Sequence, residues 1–330
     1  MSNTNPQKIW KTILSAKKPA CILSSRFDYD AVGSAYTLKL VLKRLYGLNL
    51  ELFFFNSFDE ENAKDFIDIK FMNYSKDVHQ FSLHNYDLFI TVDAPEVKHL
   101  AKDPNFKLPE GIKIINIDHH ISNTMFGDMN YVTKGASSNC RVIYDLLKLN
   151  EIKINKKEAY HLMLGYLTDT GLLQYSEVEA EDFRNIAELY DLGVSPHDLI
   201  WKIKFSNDMS HFRFMKYIYD EAVFDFKNRI VHILITPEKL RKYDLEDDHT
   251  NLNPADLLRS YKDIDLAITF FRDKYDYSTY NVSLRSRVKN LDVSKLAEKF
   301  GGGGHKMAAA FRITGVNSER EIYEEILGYL

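Results

Sequence analysis

The sequence has few cysteines, no long apolar run and no excess of positive charge. Its 330 residues include only two cysteines, too few for a disulfide framework or a cysteine-rich zinc site, which favours a reducing cytoplasm. No uninterrupted apolar stretch approaches the roughly 20 residues that a membrane helix needs, and the polar N-terminus lacks the apolar core of a signal peptide. The net charge of −4 argues against a broad basic surface for long duplex nucleic acid. We therefore expect a cytoplasmic protein with no membrane partner. The net charge does not argue against a small anionic substrate that is held by a few local cations.

The first half of the chain alternates short apolar runs with helical patterns. This alternation predicts a doubly wound, mostly parallel α/β sheet. A length of 330 residues suggests two domains. The predicted strands are 21–23, 50–55, 88–92 and 113–117, and the predicted helices are 31–46, 139–149 and 157–167.

The last third has the pattern of a second, smaller α/β domain. We predict a catalytic domain over 1–185, a helical linker over 186–220 and a substrate-binding domain over 221–330. The acidic stretch 244–248 reads as a solvated loop. The predicted elements of the second domain are strands 230–235, 264–271, 280–287 and 308–311, a helix over 293–300, and a final helix opened by a capping box of Ser318 and Glu321.

The triplet Asp118, His119 and His120 directly follows a predicted buried strand. Such a strand needs no charge at its end for packing, whereas carboxylates and imidazoles at the C-terminal edge of a parallel sheet are typical metal ligands. A polar turn is the common alternative for an isolated triplet. The triplet gains weight from acids at three other places.

Those acids are Asp28 and Asp30 before the first long helix, Asp93 after a strand, and Asp169 after a helix. Alternatives are a helix N-cap for the first pair, a turn for Asp93, and for Asp169 a helix end closed by Gly171. Together the four segments predict one site for Mn²⁺ or Mg²⁺. Two such ions about 3.5–4 Å apart can share one carboxylate and generate a hydroxide nucleophile.

The second domain carries a candidate anion site. Four glycines, 301–304, precede His305 and Lys306. Such a run allows close backbone approach to a ligand and a nest of N–H donors for phosphate, although a flexible linker is the alternative. Arg285 suits bidentate phosphate binding, or is a solvated cation of an edge strand.

With these motifs in this order, the chain resembles the DHH phosphoesterase superfamily, and within it the bacterial short-oligoribonucleotide nucleases and 3′-phosphoadenosine-5′-phosphate phosphatases. The resemblance runs from about Ile22 to Ile313. It implies a catalytic domain, a helical linker and a substrate-binding domain. It also implies two Mn²⁺ or Mg²⁺ ions, short single-stranded RNA or DNA or a nucleotide bisphosphate as partner, and it admits a homodimer.

The resemblance also assigns roles to residues. His120 would contact the scissile phosphate or assist the leaving group, and Asp118 would orient an imidazole. The other roles carried over are one ion held by Asp30, Asp93, His119 and Asp169, a second ion held by Asp28 with Asp93 bridging, and a substrate grip formed by Arg285, Gly303, Gly304 and His305.

Two positions depart from the family pattern. Ser24 stands where the family has a histidine ligand of the Asp28 ion, and Ala310 stands where it has glycine. Serine is a poor ligand, so the Asp28 site is expected to be weak unless water or a remote histidine substitutes. We therefore expect a phosphoesterase. The alternatives are a nucleotide-binding protein that has lost hydrolysis, and a pyrophosphate or polyphosphate hydrolase.

Overall fold

The computed structural model describes residues 3–205, 209–245 and 253–330. The chain divides into two compact units, Met1–Ser206 and Asn207–Leu330. Within the described ranges no helix has the length and apolar character needed to cross a membrane. Residues 246–248 of the predicted acidic loop lie outside these ranges, and the predicted linker boundaries at 186 and 220 stay a prediction.

The first unit is built on a parallel sheet of six strands within the described residues, in the order β3-β2-β1-β4-β5-β6. Leu23 pairs with Val92, and Val92 pairs with Ile117. This register brings the residues that follow β1, β4 and β5 side by side at one edge. The strands are β1 (Pro19–Leu23), β2 (Glu51–Phe54), β3 (Met72–Tyr74), β4 (Leu88–Val92), β5 (Lys113–Asp118) and β6 (Met129–Val132).

Helices cover this sheet, and the helix pair nearest the candidate site packs unusually closely. A side chain at Gly33 or Gly165 would overlap atoms of the neighbouring helices, so glycine at both positions permits the approach. The helices of the first unit are α1 (Pro6–Ser15), α2 (Tyr29–Tyr46), α3 (Glu60–Ala63), α4 (Asn139–Leu149), α5 (Lys156–Asp169), α6 (Ala180–Asp191) and α7 (Pro196–Phe205).

The second unit has its own mixed sheet, six-stranded within the described residues, in the order β11-β12-β10-β9-β8-β7. Only the β8–β9 pair of these is parallel. The strands are β7 (Val223–Asp225), β8 (Ile230–Ile235), β9 (Leu266–Arg272), β10 (Tyr280–Ser286), β11 (Gly303–His305) and β12 (Ala308–Ile313), and the helices are α8 (Met209–Glu221), α9 (Pro237–Lys242), α10 (Pro254–Leu258), α11 (Val293–Lys299) and α12 (Glu319–Tyr329).

The predicted fold class is confirmed, including the helical segment between the two sheets. Short elements were missed because three or four residues give too little periodicity, among them β3, β7 and β11. The predicted capping box is wrong. Ser318 is the N-cap residue of α12, but its hydroxyl makes no capping hydrogen bond, and the Glu321 carboxylate accepts from the backbone N–H of Asn317 at 3.0 Å instead.

We predict that Gly165→Ala both destabilises the first unit and weakens metal binding at the site that the sequence predicts around Asp30. The added Cβ would overlap the Cys140 Sγ and come within 2.9 Å of the Asp30 Oδ1. Overpacking of this kind costs about 1–3 kcal/mol. Thermal unfolding and Mn²⁺ titration measure the two effects. Gly328→Ala, in open space on α12, is the control and should change stability by no more than about 1 kcal/mol. A Gly165→Ala protein as stable as the original would contradict the packing argument.

Candidate metal centre

Asp93 lies at the centre of the C-terminal edge of the parallel sheet, directly after β4. It is 5% exposed, and its backbone is left-handed, with φ of 56°. Aspartate is one of the few residues other than glycine that adopts this conformation, at a cost of about 1–2 kcal/mol. The backbone N–H of Asp93 is fixed by the carbonyl of Ile117 on β5 at 3.1 Å. The turn therefore directs the carboxylate to one place.

His119 faces this carboxylate with a defined nitrogen. Its Nδ1 lies 2.8 Å from the backbone carbonyl of Ala136, which can only accept, so Nδ1 carries a proton and donates it. The other nitrogen, Nε2, lies 3.3 Å from Asp93 Oδ1 and 3.7 Å from Asp169 Oδ2. A neutral ring would thus point a lone pair at two carboxylate oxygens. This arrangement requires a cation at Nε2, either a proton or a metal ion.

Asp30 reaches the site from α2 and is 1% exposed. Its carboxylate does not cap its own helix. The two oxygens accept hydrogen bonds from the first backbone N–H groups of α4, at Asn139 and, at 2.7 Å, at Cys140. A helix N-terminus stabilises a buried negative charge, which fixes the orientation of Asp30. Asp30, His119 and Asp169 offer ligand atoms that lie within 4.8 Å of one another.

Asp28 and Asp169 each have a structural role at a helix end, and of these two only Asp169 belongs to a compact donor group of the described residues. Asp28 is the N-cap of α2 and accepts from the backbone N–H of Ala31 at 2.8 Å. Asp169 ends α5, and Gly171 two residues on has φ of 56°. The capping alternatives for both segments therefore hold. The two carboxylates still lie near each other. Burial raises the pKa of Asp28 most, and the charge of Asp169 raises it further.

His120 and Asp118 form a hydrogen-bonded pair beside Asp93, and the His120 Nδ1 lies 3.7 Å from Asp93 Oδ1. His120 Nδ1 lies 2.7 Å from Asp118 Oδ1, and the amide of Asn123 donates to the other oxygen. Burial would raise the pKa of the fully buried Asp118, but these hydrogen bonds and the positive rings nearby lower it below its ordinary value. Asp118 therefore stays ionised and fixes the His120 ring. Nothing in the sequence pattern singled out Asn123, whose contact is local to the loop after β5.

The carboxylates repel one another when no ion lies between them. Burial and the neighbouring charge of Asp28 raise the pKa of Asp93, and burial and Asp28 act likewise on Asp30 against the opposing effect of His119. Burial alone would lower the pKa of His119, but its contacts with Asp93 and the other acids raise it to about 11. Among the described residues, Asp93 Oδ1 is buried with no hydrogen-bond partner. Oxygen donors with one imidazole fit Mn²⁺ or Mg²⁺, so the residues present fit the ion that the sequence predicts.

Three of the four residues predicted to grip substrate, Arg285, Gly303 and His305, lie on one face of the second sheet, whereas Gly304 pairs with Ala309 and belongs to the row of the opposite face. Arg285 pairs with Ala308, and Ala308 pairs with His305, so these side chains form one row across three strands. In the next row Ala310 lies between Ser283 and Gly303. The opposite face of these strands is buried in the core of the unit, and it includes Val282, Leu284, Ala309 and Phe311.

Contacts within this face refine the prediction for two residues. Arg285 Nε donates to Asp256 Oδ1 at 2.9 Å, and its Nη1 donates to the carbonyl of Leu284, so the guanidinium is oriented and only part of it is free. A side chain at Gly304 would overlap β12, which explains that glycine by packing. A Cβ at Gly303 would meet nothing within 4 Å, and its φ is not positive. Neither packing nor backbone conformation requires glycine at position 303.

The parallel sheet with an acid- and imidazole-lined edge, together with a second α/β unit, defines a two-unit α/β protein with a candidate metal centre. The chain belongs to the DHH family. The DHH family N-terminal domain matches residues 20–166, and the DHHA1 domain matches residues 248–330. The resemblance drawn from the sequence is therefore confirmed at the level of the family.

Three known proteins illustrate the similarity. The chain is 29% identical over 214 residues to the bifunctional oligoribonuclease and PAP phosphatase NrnA of Thermus thermophilus, covering 65% of this chain and 62% of that protein. It is 25% identical over 293 residues to the protein of the same name from Bacillus subtilis, covering 87% of each. The crystal structure of an exopolyphosphatase-related protein from Bacteroides fragilis matches with a TM-score of 0.87 at 22% identity, covering 98% of this chain and 95% of that one, and shows a shared fold.

The acid cluster predicts an unusual pH dependence for the metal-free protein. Burial and the charge of Asp30 raise the pKa of Asp169 to about 7, from 3.8. The folded state then binds a proton more strongly than the unfolded state, so stability is lost as pH rises from about 4 to 7. The raised pKa of His119 also lowers stability as pH rises, but this loss begins only above pH 6.5, the ordinary pKa of histidine.

We expect the melting temperature of metal-free protein to fall between about pH 4.5 and 6.5, and to fall less in Asp169→Asn. Saturating Mn²⁺ should raise the melting temperature of the original protein at neutral pH by binding only the folded state. An equal fall in both proteins would show that Asp169 does not feel the cluster.

Proposed function

We propose that this protein is a Mn²⁺-dependent phosphoesterase that hydrolyses short oligonucleotides or a nucleotide 3′,5′-bisphosphate. The observation that carries the proposal is the demand for a cation at His119 Nε2 between two carboxylates at the edge of the sheet. The DHH and DHHA1 matches and the printed activities of the relatives support it. Mg²⁺ has the same donor preferences and is the alternative ion.

The proposed ligands are those that the resemblance to the family implies, and Asp30, His119 and Asp169 among them form one compact donor group. Asp30, Asp93, His119 and Asp169 would hold one ion, and Asp28 would hold the other with Asp93 between them. Such ions supply a water of lowered pKa and positive charge opposite the phosphoryl oxygens. The protein's part is to keep these donors fixed, which the α4 N-terminus does for Asp30 and the Ala136 carbonyl does for His119.

His120 is the proposed catalytic acid or phosphate ligand. Its Nδ1 is engaged by Asp118, which leaves Nε2 as the nitrogen that can donate to the scissile phosphate or to the leaving oxygen. Asp118 is a positioning residue, because its negative charge stabilises the positive form of the ring and fixes its orientation. Asn123 in turn holds the second oxygen of Asp118.

The proposed substrate grip is the exposed face that carries Arg285, His305 and Gly303, together with the backbone of Gly304 between the last two. Its small residues leave room for a flat base or a ribose, and the guanidinium of Arg285 and the ring N–H of His305 suit a terminal phosphate. The Nε of Arg285 already donates to Asp256, and its Nη1 donates to the Leu284 carbonyl. We therefore expect this guanidinium to bind phosphate through Nη2 alone, by one contact and not by two parallel hydrogen bonds. The Ala310 methyl is exposed on the same face and narrows it between Ser283 and Gly303.

The first test is Asp93→Ala. Because Asp93 is proposed to bridge both ions, its removal should abolish hydrolysis, by at least about 10³-fold given the several kcal/mol that metal ions supply. The assay uses Mn²⁺ with RNA of two to five nucleotides, adenosine 3′,5′-bisphosphate and pyrophosphate. Pyrophosphate as the only substrate would favour the pyrophosphatase alternative, and tight nucleotide binding without any hydrolysis would favour the binding protein.

The second test separates substrate grip from metal binding. Arg285→Ala and His305→Ala should each raise KM for a 5′-phosphorylated dinucleotide by about 10- to 100-fold, since a charge-assisted contact to phosphate contributes about 1.5–3 kcal/mol. Mn²⁺ affinity should not change. Arg312→Ala is the matched control. Arg312 is also an arginine of this sheet with an ion pair, to Asp273, but in the strand register it lies opposite Asn281, four residues along β10 from Arg285. An unchanged KM in both test variants would move the substrate site elsewhere.

A further inference from the structure

Ser24 leaves the Asp28 side of the proposed site without an imidazole. Leu23 and Val92 are paired, so Ser24 follows β1 where Asp93 follows β4, and the two residues are neighbours at the edge. Ser24 is 8% exposed. A serine hydroxyl is a poor ligand for a divalent ion at neutral pH. A nitrogen ligand for this side must therefore come from another part of the chain.

A histidine lies beside this position on a different loop. His99 ends the single turn Val97–His99, in the loop that follows β4. Its backbone carbonyl accepts a hydrogen bond from the N–H of Ser25 at 2.7 Å. Two residues later, Ala101 forms a bridge with Phe55, which follows β2. The loop is thus fastened across the ends of β1 and β2, with His99 next to the vacant position.

Hydrogen bonding does not account for one nitrogen of the His99 ring. Its Nδ1 is buried and has no hydrogen-bond partner among the described residues. A buried ring nitrogen without a partner costs about 1–3 kcal/mol, so the position is not explained by stability. Burial and the charge of Lys98 lower the pKa of His99, and His120 and Asp118 are near enough to influence it. The ring is therefore neutral, retains a lone pair for a metal, and lies on the side of the site where His120 is.

A second half-buried histidine of this unit is not a comparable candidate. His161 also has a buried Nδ1 without a partner among the described residues. However, it packs against the rings of Tyr36 and Tyr160. It precedes Asp169 by eight residues on α5, which is about 12 Å along the helix axis.

We propose that His99 supplies the nitrogen ligand that position 24 lacks, for the ion on the Asp28–Asp93 side. This inference rests on the proposed metal-dependent function. His99 belongs to neither of the compact donor groups within the described residues, which are Asp93, Asp118, His119 and His120, and Asp30, His119 and Asp169. As a ligand, the His99 ring would have to turn toward Asp28 and Asp93 when the ion binds. The backbone of the loop is already attached beside position 24 by the hydrogen bond from the Ser25 N–H to the His99 carbonyl.

Mn²⁺ binding tests the proposal directly, by calorimetric titration and by electron paramagnetic resonance of the metal pair. The original protein should bind two ions per chain and show the spectrum of a coupled pair. His99→Gln should weaken one of the two by more than about 100-fold, the upper range for loss of a residue that merely supports a ligand. Ser24→His added to His99→Gln should restore the second ion. His79→Gln, at an exposed turn of the same unit, should change neither.

Three results would overturn the proposal: one ion in the original protein, two ions of unchanged affinity in His99→Gln, or a loss that Ser24→His does not restore. The last would mean that His99 supports the loop and does not bind metal. Circular dichroism of each variant confirms that it is folded. Two ions that depend on His99, in a protein that hydrolyses no phosphoester, would overturn the proposed function and leave the ligand assignment intact.

Discussion

The site depends on the hydrogen bond from His119 Nδ1 to the carbonyl of Ala136. This contact decides which nitrogen of the ring faces Asp93 and Asp169, and hence that a cation is required there. A carbonyl partner for the distal nitrogen is the usual way in which a protein orients a histidine ligand. If the His119 ring were turned over, a ring carbon would face Asp93 and Asp169, and the edge of the sheet would offer no nitrogen ligand at this place.

The remaining donors are held by helix ends, which allows the protein to bury acids that repel one another. Asp30 accepts from the first N–H groups of α4, and Asp28 caps α2. Each such contact contributes about 0.5–2 kcal/mol to a negative charge at a helix N-terminus. Burial and mutual repulsion still raise the pKa of Asp93, so the folded chain without a metal ion is stabilised less than its packing would allow. The site trades stability for affinity toward a divalent cation.

Much of this arrangement was predictable from sequence, because it depends on which residues follow the buried strands. The predicted strands ending near Asp93 and Asp118 and the helix ending near Asp169 are present, and strand pairing then brings these ends together. Contacts between distant segments could not be predicted. The sequence gives no sign that Asp256 engages Arg285, or that His99 is attached beside Ser25. The sequence also cannot tell which glycine of 301–304 is explained by packing, because that depends on how close β12 lies.

The register of the sheet explains why a ligand missing from one strand end can be supplied from another. In a parallel sheet neighbouring strands lie about 4.8 Å apart, so a residue after β4 is within one side-chain length of a residue after β1. The loop that leaves β4 must also cross the end of β1 to reach Phe55. His99 lies on this short segment, and its backbone carbonyl accepts a hydrogen bond from Ser25, next to Ser24. A serine at position 24 is therefore compatible with a complete set of metal ligands, because neighbouring loops share the same edge.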